Sequence, residues 1–525
     1  MSATPPPTSP SSPGPADDRP ADDRPAADRS AATDLPPEVA DQLLAHVTGA
    51  RWFGGKGRRA QVVGRTALPW LTPEPHLAAG SGPAVRTEVV EIAYPDESVE
   101  PDGAGGQDPG AGTGVPHELY QLAVSYRPAA EADLQHAEIG RWADAELGPV
   151  VAYDAMRDPA ATRVVLRSLL AESRLQGADA EVGFHLSAAE GLDADLVPAV
   201  FTGQQSNTSV MFGDVAMLKL FRRLELGRNL DIEVHDALSG TADVARLFGW
   251  VEASWTGVHP VTGSTGALAA DLAMVVEKLA DATDGWGLAL DALTRGEDFS
   301  DQARALGAAL AQTHAALREA FPGGRQPGAE VAAVMRQRLD RAEAVAPQLS
   351  PYTAGIRSAF GALEGRDLDL QRVHGDFHLG QTLHTPSGWK IIDFEGEPAK
   401  TLTERTAPDS VWRDIGGMLR SFDYAAASVP EQDGARWAQA CRDGFLAGYA
   451  GGELDPGDAV VLRAYEADKA VYEVVYEVRN RPDWLAIPLA AVAGLSGAAP
   501  GGPDEQDSGT REATAPSGAS NRGEE

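Results

Sequence analysis

Between residues 35 and 496 the 525-residue chain alternates between two hydrophobic periods, and outside that span large apolar side chains are almost absent. A three-to-four period runs through DLPPEVADQLLAHVTG, with Asp34 placed to cap a helix and Pro36 and Pro37 suited to its first turn. Period-two alternation follows in Arg86–Tyr94 (RTEVVEIAY) and Glu118–Tyr126 (ELYQLAVSY), the pattern of half-buried strands. The glycine-rich PDGAGGQDPGAGTG between them predicts a long hairpin loop. A second helical pattern covers Asp158–Leu175, a strand-turn-strand region covers Val200–Phe221, and beyond about residue 280 the pattern is mainly helical. The order predicts an α+β protein. A small α+β unit occupies 35–148, a β-containing lobe 149–279 and a larger helical lobe 280–496. The tails, 1–34 and 497–525, are too poor in large apolar groups to offset the entropy of ordering, and are expected to be disordered.

Composition narrows the chemistry more than the fold. The single cysteine, Cys441, excludes an internal disulfide framework and any multi-cysteine zinc site. No charged-then-apolar leader opens the chain, and no apolar run approaches the roughly 20 residues needed to cross a bilayer. Cytoplasmic residence without a membrane partner is therefore expected. A formal net charge of −33 argues against nucleic acid, because phosphate contacts need a basic footprint.

The densest candidate chemistry lies in His374–Pro398, HGDFHLGQTLHTPSGWKIIDFEGEP. His374, Asp376 and Gln381 have the spacing of a kinase catalytic loop, in which an Asp accepts the proton of a substrate hydroxyl and a residue five positions later holds Mg²⁺. Asp393 ends the strand-like run WKIID, from where a carboxylate can reach a metal bridging nucleotide phosphates. The two aspartates thus divide the labour, one taking a proton while the other neutralises phosphate charge. Gln381 offers a neutral oxygen, adequate for a hard cation that already has a carboxylate and phosphates. The competing reading is a solvated surface hairpin, which would leave two independent signatures to coincidence. His378 either leans toward substrate or hydrogen-bonds within its own loop, and Asp414 is placed to brace the loop backbone from below.

A nucleotide site also needs a lysine on a strand. VAMLKLF, Val215–Phe221, supplies Lys219 to reach the α- and β-phosphates. A snorkelling surface lysine is the alternative, and it weakens once Asp376 and Asp393 are considered together. The preceding GQQSNTSVMFGD lacks a glycine-rich fingerprint, so Ser206, Asn207 and Thr208 must cover phosphate through backbone and hydroxyl groups. Glu233, fourteen residues after Lys219 on a predicted helix, is the expected partner that orients the lysine. The strand LAMVV ends at Glu277-Lys278-Leu279, where backbone groups can meet adenine as the chain passes between lobes. ATP and Mg²⁺ are the cofactors these residues imply.

Late in the chain, YEADKAVYEVVYEVRNRPDW places Tyr465, Lys469, Tyr472, Glu473, Tyr476 and Asn480 on one helical face. Tyrosines interleaved with acids and amides suit a polar ligand with apolar ring faces, as a sugar has. An amphipathic helix with tyrosines at the core boundary reads the same way.

HGDFHLGQTL, WKIIDFEGEPAKTL, ERTAPDSVWRDIGGMLRSFDYAA and YEVRNRPDWLAIPL together closely resemble the maltokinases, in the aminoglycoside-phosphotransferase-like branch of the eukaryotic-type kinases. The resemblance covers about residues 36–495, and RWFGGKGR is also typical of the family's N-terminal segment. It implies a bilobal protein-kinase-like fold with an N-terminal cap domain, conversion of ATP and maltose to maltose 1-phosphate and ADP, a role in α-glucan synthesis, and association with trehalose synthase. It carries over Asp376 as base, Gln381 and Asp393 as metal ligands and Lys219 as phosphate-binding lysine. Arg413, Glu473, Tyr476 and Arg479 become candidates for the sugar pocket. Gly375 stands where a regulated protein kinase keeps an arginine, so no activation-loop phosphosite is implied. A kinase for another small sugar, such as glucosamine or an aminoglycoside, is the near rival. A non-catalytic scaffold is the distant one.

Overall fold

The alternation in the first unit produces two long antiparallel strands, Ala84–Ala93 and His117–Arg127, in register from Ala84 opposite Tyr126 to Ala93 opposite His117. This computed structural model describes residues 35–72, 77, 82–95, 117–201, 207–241, 243–397, 400–429 and 432–497. The cap expected at Asp34, the glycine-rich loop and both tails lie outside them. The long pair is buried on both faces rather than one. Even-numbered Val90, Ile92, Tyr120, Leu122 and Val124 pack under the helix Pro37–Gly49, while odd-numbered Val85, Val89, Leu119 and Ala123 join the core of the next lobe. The period of two is real, but each parity meets its own core, so polar residues on the sheet must be paired. Glu88 is fully buried and accepts hydrogen bonds from Arg65, Arg86 and Tyr126. Gln121, on the other face, donates to the carbonyls of Phe221 and Leu272 at 2.9 and 2.7 Å. Truncating a shared wall residue such as Leu122 to Ala would cost about 2–5 kcal/mol.

The first sheet continues past the boundary expected at residue 148. Gly148–Asp154 pairs with both His117–Arg127 and Glu138–Asp144 inside it. Asp158 then caps the helix Pro159–Leu170, accepting from the N–H of Ala160 and Ala161 at 2.9 and 3.3 Å. This helix ends five residues short of the expected Leu175, where a short strand, Arg174–Gln176, begins.

The second sheet has seven strands, and Ala216–Leu220 lies inside it between Thr265–Glu277 and Thr208–Phe212. The chain leaves that sheet at Glu277 and joins the helical lobe at Thr283–Asp284, which pairs with Thr382–Thr385. Beyond it, helices including Ser300–Ala320, Trp412–Ala427 and Pro456–Asn480 surround one apolar core that contains Phe377, Ile391, Phe422 and Val474. Among the described residues no helix is long and apolar enough to cross a membrane.

Candidate active site

Strand alternation aims Lys219 to one side of its sheet, on the same face as Ser209 directly opposite. Its ammonium donates to Asp231 at 2.9 Å, Asp393 at 2.9 Å and Glu395 at 2.7 Å. Burial opposes the lysine's charge, yet Asp231, Glu395 and Asp393 hold its pKa well above the ordinary value. Burial also raises the pKa of Glu395, while Lys219 draws that of Asp231 down.

The lysine's partner is therefore Asp231, and the expected pairing with Glu233 is corrected. Asn229 caps the helix Leu230–Ala237 by accepting from the N–H of Asp231 and Ile232. Two residues on, at about 200° around the helix, Glu233 faces away and pairs with Arg372 at 3.1 Å. The signal was present in the pattern. Asp231 precedes buried Val234 and Leu238 by three and seven residues, so it shares their inward face. Asp231 also accepts from the N–H of Phe394 at 3.0 Å, which ties the helix to the D-F-E-G segment.

The phosphate-covering residues fare differently. Ser206 lies outside the described residues. Asn207 is half-buried at the edge of its strand. Thr208 alternates to the face opposite Lys219, where its hydroxyl accepts from Arg222 at 2.8 Å, so its side chain does not meet the lysine. Glu277 and Leu279 lie in the crossing between lobes. There Glu277 exchanges hydrogen bonds with the backbone of Arg246, and Leu279 packs against the sheet core.

The catalytic-type loop is held from below. Asp414, fully buried, accepts from the N–H groups of His374 and Gly375 at 2.8 Å each and from His314 Nε2 at 3.0 Å. Burial opposes the charge, but His314, His374 and the Gly375 N–H keep the carboxyl below its usual range. His314 Nδ1 is in turn hydrogen-bonded to the Tyr449 hydroxyl at 2.9 Å. The ring of His374 lies 5.4 Å from that of Phe377 and 5.0 Å from that of Phe394, and its Nε2 donates to the Ile392 carbonyl at 2.9 Å. Asp414, expected to brace the loop, lies against its backbone, and His374 packs within the loop. A cavity of about 500 Å³ lies behind the loop, lined by Gln371, Trp412 and Tyr449, and does not include Asp376.

Asp393 has a left-handed backbone, φ +67°, a conformation that non-glycine residues adopt only when their surroundings enforce it. Its Oδ2 accepts from Gln381 Nε2 at 3.3 Å, so the two expected metal ligands are side by side. Turned over, the same amide presents its oxygen. Asp231, Asp393 and Glu395 each bring a carboxylate oxygen within 4.8 Å of the others. These hard oxygen donors fit a divalent cation such as Mg²⁺.

Asp376 is about one-quarter exposed, with Lys469 Nζ 3.5 Å from Oδ1. His378 caps its own short turn, accepting from the N–H of Gly380 at 3.0 Å. Burial holds its ring below the ordinary histidine range. Of the residues expected to contact sugar, Arg413 is committed to Asp409, and Glu473 accepts from Arg420 at 2.8 Å in a buried pair. Arg479 is exposed near the end of its helix. Tyr476 is 43% exposed and Tyr472 40%, an open aromatic ledge on the helix that carries Lys469. Glu397 pairs with Lys400 at 3.3 Å. Sequence reasoning gave no role to Asp231, Glu395, His314 or Glu397, and placed Lys469 only on a ligand-suited helical face.

A lysine strand joined to a helix carboxylate, a braced His-Gly-Asp loop and a strained Asp-Phe-Glu segment define a bilobal phosphotransferase of the kinase type. Comparison with known proteins agrees. Residues 46–158 match the maltokinase N-terminal cap domain, and residues 266–454 match the phosphotransferase enzyme family. A glucosamine kinase from Streptacidiphilus jiangxiensis is 31% identical over 363 residues, covering 62% of this chain and 80% of that protein. One from Mycolicibacterium smegmatis is 26% identical over 328 residues, covering 56% and 78%. Among solved structures, a glucosamine kinase in complex with glucosamine, ADP and inorganic phosphate superposes with a TM-score of 0.56 at 22% identity, covering 86% of this chain and 98% of that one. The chain belongs to this phosphotransferase family, among its capped sugar kinases, and has the aminoglycoside phosphotransferase-like fold.

Proposed function

We propose that this sugar kinase transfers the γ-phosphoryl group of ATP to the anomeric hydroxyl of maltose, giving maltose 1-phosphate and ADP. The observation that carries the choice of a neutral saccharide is the charge balance around Asp376. A cation, Lys469, stands beside the base. Among the described residues each neighbouring carboxylate already has a cationic partner: Glu397 has Lys400, Glu473 has Arg420, and Asp409 has Arg413. An amino sugar would need a free carboxylate to receive its ammonium group. The open ledge of Tyr472 and Tyr476 suits the apolar faces of two hexose rings.

In this reading Asp376 takes the proton of the acceptor hydroxyl as its oxygen bonds to phosphorus, and ADP departs with the bridging oxygen. Lys219, held by Asp231, meets the α- and β-phosphates. Gln381 and Asp393 would hold Mg²⁺, which when bound neutralises phosphate charge. Asp414 and His374 keep the loop in place, so little reorganisation remains for the transfer step.

The relatives named glucosamine kinases supply a second reading, phosphorylation of glucosamine. ADP release measured with maltose, glucose, glucosamine and kanamycin separates the two. Maltose-dependent turnover exceeding that with glucosamine by at least tenfold is expected, and turnover with glucosamine alone refutes the maltose assignment.

A further inference from the structure

Phosphoryl transfer gathers negative charge between donor and acceptor, and cations must face it from both sides. On the donor side Lys219 is built for this. On the acceptor side most candidates are unsuited. His378, the histidine of the loop itself, spends Nδ1 on a backbone N–H. Arg413 is committed to Asp409, Lys400 to Glu397, and Arg420 to Glu473 and Asp423.

Lys469 differs from all of these. Among the described residues its one hydrogen bond, to Asp376, is 3.5 Å long, against about 2.7–2.9 Å for a well-formed charge-assisted contact. An ammonium group has three donors, so most of its capacity is uncommitted. Its ammonium lies 5.2 Å from the Tyr472 ring centre, and the side chain is 22% exposed. The backbone beneath it is not loose. It belongs to the 25-residue helix Pro456–Asn480, whose Tyr465, Ala467, Ala470, Val471 and Val474 are buried in the lobe core. A weakly paired cation on a fixed support, beside the base, is what a group that enters and leaves within each turnover requires.

We propose that Lys469 is a catalytic residue of the transfer, contacting the phosphoryl group as it reaches the acceptor oxygen. The inference rests on the reading of Asp376 as base. In the step, the bond from the γ-phosphorus to the bridging oxygen of ATP breaks and the bond to the acceptor oxygen forms. The acceptor proton passes to Asp376, and Lys469 stays protonated throughout, so it supplies charge and no proton.

The test compares Lys469→Met, Lys469→Arg and Asp376→Asn in the full chain by ADP release with maltose and Mg-ATP, alongside thermal melts. The expected result for Lys469→Met is a kcat lower by about 10²-fold or more, with the KM for ATP changed by less than about threefold. Lys469→Arg should recover at least about tenfold of that loss, since the charge returns on a longer fork. A Lys469→Met kcat within about threefold of wild type overturns the proposal. So does an equal loss in the Met and Arg variants, which would assign the residue to packing. Should Lys469→Met fail to melt cooperatively, Lys469→Gln with Lys469→Arg carries the same comparison. Asp376→Asn separates the layers: if it retains turnover, the base assignment fails, whereas an inactive Asp376→Asn beside a fully active Lys469→Met sinks only the role of Lys469.

Discussion

Lys219 donates hydrogen bonds of 2.7–2.9 Å to carboxylates from a helix and from a loop more than 170 residues away, while Asp376 meets its cation at 3.5 Å in a cleft lined by exposed tyrosines. The phosphate end of the site is over-determined. Removing any one contact there leaves the others, and buried charges that lose a partner exact a large desolvation cost. The acceptor end is sparsely bonded, and its neighbours pair with one another rather than with Asp376. The contrast follows from the two tasks. Every nucleotide presents the same phosphates, so that end can be fixed in advance, whereas the acceptor end must admit a hydroxyl to Asp376 and release a product.

The sharpest way to break the contrast is at the base. Asp376→Asn should lower turnover by about 10³–10⁴-fold and leave ATP binding within about threefold, measured by ADP release and by nucleotide titration. Residual turnover above a tenth of wild type would mean that some other group takes the proton. Next in size is the hub. Asp231→Asn should raise the KM for ATP and lower kcat/KM by about 10–100-fold, while Glu233→Gln changes it by less than about threefold. The reverse ranking would restore the partner expected from the sequence.

A third prediction concerns acid. Burial depresses the pKa of His378, so the unfolded chain binds a proton that the folded chain refuses as pH drops below about 6.5. Folding stability therefore falls over that interval. Asp414 adds to the loss below about pH 4, because its depressed carboxyl stabilises the fold only while ionised. His378→Gln should flatten the decline just below pH 6.5 in urea unfolding midpoints, and an unchanged slope would show that the histidine titrates normally. The smallest effect is expected at the ledge. Tyr472→Ala and Tyr476→Ala should raise the KM for sugar severalfold, with stability changed by less than about 0.5 kcal/mol for Tyr476, whose side chain is 43% exposed.

The same contrast governs what could be read from the sequence. The lobes, the lysine strand, the loop, Asp393 beside Gln381 and the bracing Asp414 were legible, because each rests on short-range spacing or strand period. The double burial of the first sheet was not, since period two is the same whether the second face meets water or a second core. Glu233 was expected in place of Asp231 because spacing along the chain does not say which side of the helix faces the sheet, and that side sets the partner. Arg413 and Glu473 read as sugar ligands by residue type, yet buried charges find partners first, and Asp409 and Arg420 claim them. Lys469 could be placed on a helical face by counting. That the helix brings it to Asp376, 93 residues earlier, is a fact of tertiary packing.

Phosphorus NMR of the product formed from maltose and Mg-ATP by the wild-type chain tests the account most directly. A new sugar phosphate is expected, its phosphorus coupled to an anomeric proton, formed in step with ADP and absent with Asp376→Asn. A phosphate on a primary or ring hydroxyl, or ADP formed without any phosphorylated maltose, would contradict it.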